Sequence, residues 1–513
     1  MADALAPIAA RKPDAAALVD ERTTRTWRAF DERVNRLIHA LRARLGVGDH
    51  VAVLSANRVE LFEVLVATMH AGVVVVPLNW HWVADEISYV LDDAGARVLF
   101  TDPDHADVAR AAAAQAACDV SLVTIGGADY ESWVAAQPAD EPTEQVLAGP
   151  MFYTSGTTGR PKGVRNMLTA AGMPASTWGL VTQGAVENLG VPTDGVTLLC
   201  GPWYHSAQWA FAVFPLLAGG TLVMRARFDA AEVLDLIDRY HVTNLHLVPT
   251  QLVRLLRAPD DARARFSGAS LRVVHHGAAP CPPEVKRQMI AWWGPVLVEY
   301  YGGTEGAMLA TITSEEWLAH PTSVGRPWSI VEVVVVRDDG TECEIGEVGT
   351  LYVRNKLGTD FEYHGDPDKT AAAHRSPGVF TLGDVGFLDD EGYLHLSDRR
   401  IDMIISGGVN IYPAEIEGVL AAHPAVHDVA VFGVPDDEYG EAVMAAVQLA
   451  DGVEGSDALT DELRAYCRAH LARYKVPRTF DYMAELPRSP TGKLYKRLLR
   501  DKYWAGRKTR IGS

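Results

Sequence analysis

Apolar positions in the first hundred residues recur with two alternating rhythms. Between Thr26 and Leu45, the residues Phe30, Val34, Leu37, Ile38, Leu41 and Leu45 sit three or four apart with polar residues between them, and Gly46 and Gly48 follow. This is the stripe of an amphipathic helix closed by residues that stop it. His50–Leu54 then predicts a buried strand, Val59–Ala71 a helix, Val73–Val76 a β-branched strand, Ala84–Leu91 a helix and Ala96–Phe100 a strand. Strands alternating with helices predict a parallel sheet covered on both faces. After the polar, proline-containing stretch Gln137–Thr143 the rhythm resumes. Strands are expected at Thr221–Met224, Thr243–Val248, Leu271–His275 and Val296–Tyr300, and helices at Ala230–Tyr240 and Pro283–Trp293, which makes a second doubly wound unit.

The grammar changes at Ser329. Ile330–Arg337, the turn Asp338-Asp339-Gly340 and Gly349–Arg354 read as strand, turn, strand, an antiparallel hairpin that predicts a small β subdomain. From about Asp402 the elements are short, with helices at Pro413–Ala421 and Asp461–Leu471 and strands at Asp428–Gly433 and Glu441–Gln448, so a separate α+β domain is expected. The end of the chain is basic: Arg488, Lys493, Lys496, Arg497, Arg500, Lys502, Arg507, Lys508 and Arg510 face Asp501 alone. Taken by itself it is a solvated tail or a phosphate patch.

A chain of 513 residues has room for about three such units at roughly 150 residues each. With 48% hydrophobic and 22% charged residues it is a folded protein rather than a disordered or fibrous one. Its net charge of −19 would repel a phosphodiester backbone or an anionic membrane, so anionic ligands must be held by local donors. Cys118, Cys200, Cys281, Cys343 and Cys467 form no CxxC pair, which argues against a disulfide framework and fits a reducing, cytoplasmic setting. The longest apolar stretch, Val64–Leu78, is broken by Thr68 and His70, and the N-terminus lacks a basic region, so neither export nor a membrane anchor is expected.

The densest chemistry lies in Tyr153-Thr-Ser-Gly-Thr-Thr-Gly-Arg-Pro-Lys-Gly163. Hydroxyls at Thr154, Ser155, Thr157 and Thr158, the flexible Gly156 and Gly159, and the cation of Lys162 can wrap polyphosphate oxygens. No Gly-Lys-Ser/Thr ends the run, so it is not a Walker loop, and no GxSxG elbow of a serine hydrolase occurs.

The segment resembles the phosphate-binding signature of the adenylate-forming superfamily, which includes acyl-CoA synthetases, aryl-CoA ligases and peptide-synthetase adenylation domains. Further motifs follow in the family's order: Gly201-Pro-Trp-Tyr-His205, His276-Gly-Ala-Ala-Pro280, Tyr300-Tyr-Gly-Gly-Thr-Glu-Gly306, Thr381-Leu-Gly-Asp384, Ser397-Asp-Arg399 with Ser406-Gly-Gly408, and Pro487-Arg-Ser-Pro-Thr-Gly-Lys493. The resemblance implies an AMP-forming acyl-CoA synthetase using ATP, Mg2+ and coenzyme A. Its adenylation domain would be residues 1–398, its hinge 399–402 and its mobile C-terminal domain 403–513. The implied fold is α/β: two doubly wound subdomains plus a small β subdomain, with a separate α+β C-terminal domain.

By the same resemblance Tyr301 offers a ring to the adenine, and Gly277, Ala278 and Ala279 line its other side, with Gly302 in the same motif. Thr304 bonds the α-phosphate and Glu305 holds Mg2+, a hard cation that prefers oxygen. Asp384 accepts from the ribose hydroxyls and Arg399 is a second ribose or phosphate contact. Lys493 bridges the substrate carboxylate and α-phosphate when the C-terminal domain closes, and the domain then turns to present Ser406, Gly407 and Gly408 to the thiol. Ile401 departs from the family, which usually carries Lys or Asp at that hinge position.

His205 stands where amino-acid-activating relatives carry an aspartate, which disfavours an α-amino acid; the residue either gates the route between ATP and thiol or packs. The run Ala207–Phe214 lines an acyl pocket or belongs to the core, and the bulk of Gln208 and Trp209 favours a compact or aromatic acid over a very long chain. His275 and His276 are not a metal pair, because neighbours on a strand point to opposite faces. The expectation is a hydrophobic carboxylic acid, medium-chain or aryl. The alternatives are another acceptor (a carrier-protein thiol or an amine), an unusual oxyanion substrate, or a nucleotide-binding member without turnover. No nucleic acid or integral membrane segment is expected; a homodimer is entertained and the oligomeric state left open.

Overall fold

The computed structural model describes residues 5–154, 160–166, 170–174, 176–399, 402–406, 409–436, 439–488 and 494–505. Ser155, Gly156, Thr157, Thr158, Ile401, Gly407, Gly408 and Lys493 lie outside the described residues, as does the side chain of Arg399.

The first unit is a parallel sheet in the order Val74–Pro77, His50–Leu54, Ala96–Thr101, Ser121–Thr124. Its central strand His50–Leu54 is buried throughout, and helix Val59–Ala71 is buried on nearly every side, which is why both read as unbroken apolar runs. The amphipathic helix Trp27–Arg42 begins where Thr26 Oγ1 accepts from Ala29 N at 3.3 Å.

The second unit aligns Thr221–Met224, Val196–Leu199, Asn244–Leu247, Val273–His276 and Leu297–Gly303 in parallel. The N-terminal strand Ala16–Val19 extends the outer edge of this sheet beside Thr221–Met224. At its other edge Leu297–Gly303 turns back into Ala307–Thr313, and the sheet runs on through Ser323–Pro327, Leu394–Arg399, Asp384–Leu388 and Gly349–Asn355, all antiparallel. The β subdomain expected after Ser329 is therefore a continuation of the second sheet. Its hairpin Val331–Val336 with Gly349–Asn355 is present as expected.

Several helices escaped the sequence reading, three of them instructive. Ala106–Gln115 is the alanine-rich tract, whose Ala109 and Ala112 are buried; small residues give no amphipathic contrast to detect. Ser176–Asn188 is polar and glycine-containing, and Ser206–Leu217 is apolar nearly all round.

Residues from Ile404 onward form their own sheet, Val409–Ile411, Ile404–Ser406, Gly440–Leu449 and Val426–Asp436, with Thr479–Met483 parallel to Gly440–Leu449. Ile404, Ile416, Val431, Leu463 and Cys467 fill a core of its own. Much of the basic end is structural rather than a loose tail. Arg488 forks onto Asp428 with both bonds at 2.6 Å, Lys496 meets Glu417 at 2.8 Å, and helix Lys496–Trp504 buries Leu499. No helix among the described residues is long and apolar enough to cross a membrane.

Candidate functional site

Thr154 ends strand Phe152–Thr154 and lies opposite Lys162, the first residue of Lys162–Asn166, so the two flank the hydroxyl-rich segment in one antiparallel ladder. Strand Phe361–Tyr363 completes this small sheet, pairing Tyr363 with Val164. The Lys162 ammonium stands 5.6 Å from the centroid of the Tyr363 ring, and the Tyr363 hydroxyl donates to Glu305 Oε1 at 3.1 Å. Tyr363 thus ties the expected phosphate lysine to the expected metal carboxylate. It lies outside the recognised motifs, and only the pairing of a distant strand reveals it.

Thr304, Glu305 and Gly306 form the turn between Leu297–Gly303 and Ala307–Thr313, since Gly303 pairs with Ala307 across it. Thr304 Oγ1 shares a hydrogen bond of 3.1 Å with Ser206 Oγ, which joins this turn to the first residue of helix Ser206–Leu217.

Strand alternation sends the two adjacent tyrosines to different tasks. Tyr301 is buried among Val164, Leu309 and Phe380, and its hydroxyl donates to Asp384 Oδ2 at 2.7 Å. Arg399 is the ladder partner of Asp384, so the two residues expected at the ribose are register neighbours on adjacent strands. Tyr300 faces the other way, into a wall with Phe211, Val273 and Leu189.

That wall holds a neutral hydrogen-bonded chain. Gln208 Nε2 donates to His246 Nδ1 at 2.9 Å, which leaves His246 Nε2–H to donate to the Tyr300 hydroxyl at 3.1 Å. The Phe211 ring stacks on His246 at 4.8 Å between centroids and lies 4.6 Å from His275 and 5.4 Å from Tyr300. Burial pushes the His246 and His275 imidazoles down to about 3, so both are uncharged at neutral pH. His205 precedes the same helix, its ring 4.5 Å from that of Tyr204.

Gly277, Ala278 and Ala279 follow strand Val273–His276. A Cβ on Gly277 would fall 2.7 Å from the Tyr300 carbonyl oxygen, so the backbone passes closer to its neighbour than any side chain permits. Ala278 has φ +66°, a left-handed conformation rare for a residue with a Cβ, and such strain gathers at ligand-binding turns. Gly302 lies at a register shift of the Leu297–Gly303 ladder, next to Tyr301.

Ser406 ends Ile404–Ser406 and pairs with Val409 and Gly440. The segment carrying Lys493 is closed at its base: Arg488 bridges Leu494, and Tyr495 N donates to Pro487 O at 2.8 Å. Burial first and then the charge of Glu86 raise the Tyr495 phenol, and burial first and then Tyr495 raise that of Tyr204, so this end of the C-terminal unit lies near Glu86 and Tyr204 of the N-terminal one. Arg257 and His427 make a second contact between the units, with Arg257 Nη1 3.4 Å from His427 Nε2.

Residues 5–359 match the AMP-binding enzyme family and residues 415–493 the AMP-binding enzyme C-terminal domain. The chain is 36% identical over 497 residues to a feruloyl-CoA synthase of Amycolatopsis sp, covering 96% of each chain. It is 35% identical over 487 residues to long-chain-fatty-acid–CoA ligase FadD13 of Mycobacterium tuberculosis, covering 94% of this chain and 93% of that one. Among solved structures, ATP-bound MatB from Rhodopseudomonas palustris superposes with a TM-score of 0.84 at 28% identity, covering 98% of this chain and 99% of that one.

Proposed function

The chain belongs to the AMP-binding enzyme family, the adenylate-forming superfamily, and is an AMP-forming acid–thiol ligase that works with ATP, Mg2+ and coenzyme A; from that premise we propose that it activates an uncharged-tailed hydrophobic acid, aryl or medium-chain, as its CoA thioester. The observation that carries this reading is the wall built on Phe211. Its rings offer apolar faces, Gln208, His246 and Tyr300 satisfy one another by hydrogen bonds, and burial keeps the His246 and His275 imidazoles neutral. A tail bearing a second carboxylate would meet no lysine or arginine among the described residues of this wall, and burying an unpaired charge costs several kcal/mol.

In the reaction this implies, Thr154 and Lys162 hold the polyphosphate, Thr304 donates to the α-phosphate, and Asp384, oriented by the Tyr301 hydroxyl, accepts from the ribose. The Glu305 carboxylate, fixed by Tyr363, supplies the oxygen a hard cation prefers; when bound there, Mg2+ neutralises charge on the phosphate oxygens. The substrate carboxylate attacks the α-phosphorus, pyrophosphate leaves, and Lys493 steadies the charge that gathers at the reacting centre. Rotation about residues 399–402 then removes Lys493 and brings the segment 406–408 to the thiol, whose sulfur attacks the acyl carbonyl and displaces AMP.

The test is pyrophosphate release with MgATP and a panel of straight-chain, aryl and dicarboxylic acids, with and without CoA. Release driven by aryl or medium-chain acids, with the matching thioester formed, is the expected result. A preference for dicarboxylic or sulfonated acids overturns the neutral-pocket reading. Asp384→Ala is expected to raise KM for ATP about ten- to a hundredfold, the loss of a hydrogen bond to a charged group, with kcat changed less. Steady-state kinetics at varied MgATP measures it.

A further inference from the structure

Helix Pro367–Ala373, which carries Lys369, follows and packs on strand Phe361–Tyr363, and that strand is paired with Lys162–Asn166. Tyr363 N donates to Thr370 Oγ1 at 3.0 Å, which sets the residue after Lys369 against the tyrosine whose ring stands 5.6 Å from the Lys162 ammonium, and each lysine feels the charge of the other. Like charges so close repel strongly near a protein surface. One carboxylate stands with them: Asp366 Oδ2 is 2.6 Å from Lys369 Nζ, and it also caps the helix by accepting from Lys369 N at 3.1 Å. It balances one of the two ammonium charges. A third cation is Arg160, whose guanidinium carbon is 4.6 Å from the Tyr89 ring centroid; Tyr89, raised first by burial and then by the Asp93 carboxylate, also feels Arg160 and Lys369, so Asp93 is a second carboxylate near the group. In a chain of net charge −19, three cations, two of them next to the hydroxyl-rich segment in sequence, against the two carboxylates Asp366 and Asp93 suit a dense anion.

We propose that Lys369 is a second polyphosphate-binding residue, which joins Lys162 in holding the β- and γ-phosphates of ATP and the departing pyrophosphate. The assignment rests on the placement of Lys162 at the polyphosphate in the function proposed above. Asp366 sets the position of Lys369 through the helix cap and the ion pair, and the Tyr363 ring backs Lys162. With the anion bound, both ammonium groups donate to phosphate oxygens and their mutual repulsion becomes shared attraction. Neither residue would contact AMP, which lacks those phosphates.

The test is calorimetric titration of the full-length protein with MgATP, with magnesium pyrophosphate and with AMP at pH 7. Lys369→Met is expected to weaken ATP and pyrophosphate binding about tenfold and leave AMP binding unchanged, and Lys369→Arg to restore most of the loss. A second readout follows from Lys162, pushed down to about 8 by burial first and by Lys369 second. Without Lys369 its proton is held more tightly, and the alkaline pH at which pyrophosphate binding fades moves upward in Lys369→Met. Asp366, Tyr363, Tyr89 and Arg160 remain in place for that comparison. Unchanged pyrophosphate binding in Lys369→Met, or equal weakening of all three ligands, overturns the proposal. A wild-type protein that binds pyrophosphate but releases none with any acid would instead overturn the proposed function.

Discussion

Lys493→Ala is expected to reduce acid-dependent pyrophosphate release about a hundred- to a thousandfold while leaving thioester formation from a supplied acyl-adenylate and CoA close to wild type. The size follows from removing one charged donor aimed at developing negative charge, which is typically worth that factor. The asymmetry follows from the chain's organisation. Lys493 belongs to the C-terminal unit and reaches the phosphate segment, more than three hundred residues earlier, only when that unit lies over the N-terminal one. The structure prepares such a reach on either side of it: the Arg488–Leu494 bridge and the Tyr495-to-Pro487 hydrogen bond pin the base of the segment, and the Arg488 fork on Asp428 anchors it to its own sheet. Tyr495 in turn borders Tyr204 and Glu86 of the other unit. In the proposed mechanism Lys493 serves the first half-reaction and is withdrawn for the second. Single-turnover measurement of the two halves separately decides it, and equal loss in both would refute the role of Lys493.

The family motifs stood out in the sequence because the chemistry expected of them needs fixed types in fixed order: hydroxyls, glycines and a lysine around Tyr153–Gly163, and an acid after Gly302-Gly303-Thr304 at Glu305. The strand and helix alternation was legible wherever one face is wet and the other dry, as in Trp27–Arg42. What stayed hidden depends on long-range pairing. Tyr363 joins Lys162 to Glu305 only because Phe361–Tyr363 pairs with a strand nearly two hundred residues earlier. The wall of Gln208, His246 and Tyr300 draws one residue from each of three elements, and each alone reads as ordinary core. Tyr300 could have been separated from Tyr301 by strand alternation alone. The Ala307–Thr313 strand was masked by the glycine-rich motif before it, so the reversal that ends the parallel run went unseen.

Lys286 is the clearest case in which pattern misleads, and it carries the second large expected effect. On helix Pro283–Trp293 a lysine reads as solvated, yet its side chain is 0% exposed, its Nζ 2.6 Å from Glu299 Oε2 and 4.6 Å from the Trp317 ring centroid. Burial lowers the lysine and raises the glutamate from their ordinary values, and each opposes that shift in the other by pairing. Lys286→Met leaves a buried carboxylate without its cation and is expected to cost about 3–5 kcal/mol, seen as a large fall in the denaturation midpoint followed by tryptophan fluorescence. Glu299→Leu should cost a similar amount by stranding the ammonium. The double variant Lys286→Met with Glu299→Leu removes both charges and is expected to recover most of the loss, because apolar side chains of like volume replace a buried pair at little or no net cost. Additive losses in the double variant would show that the two charges are not coupled. The pair also bears on the site: Glu299 is the ladder partner of His276, the residue before the close-packed Gly277 and the strained Ala278. If the pair's task is to hold that strand in register, KM for ATP should rise in each single variant and return with stability in the double one.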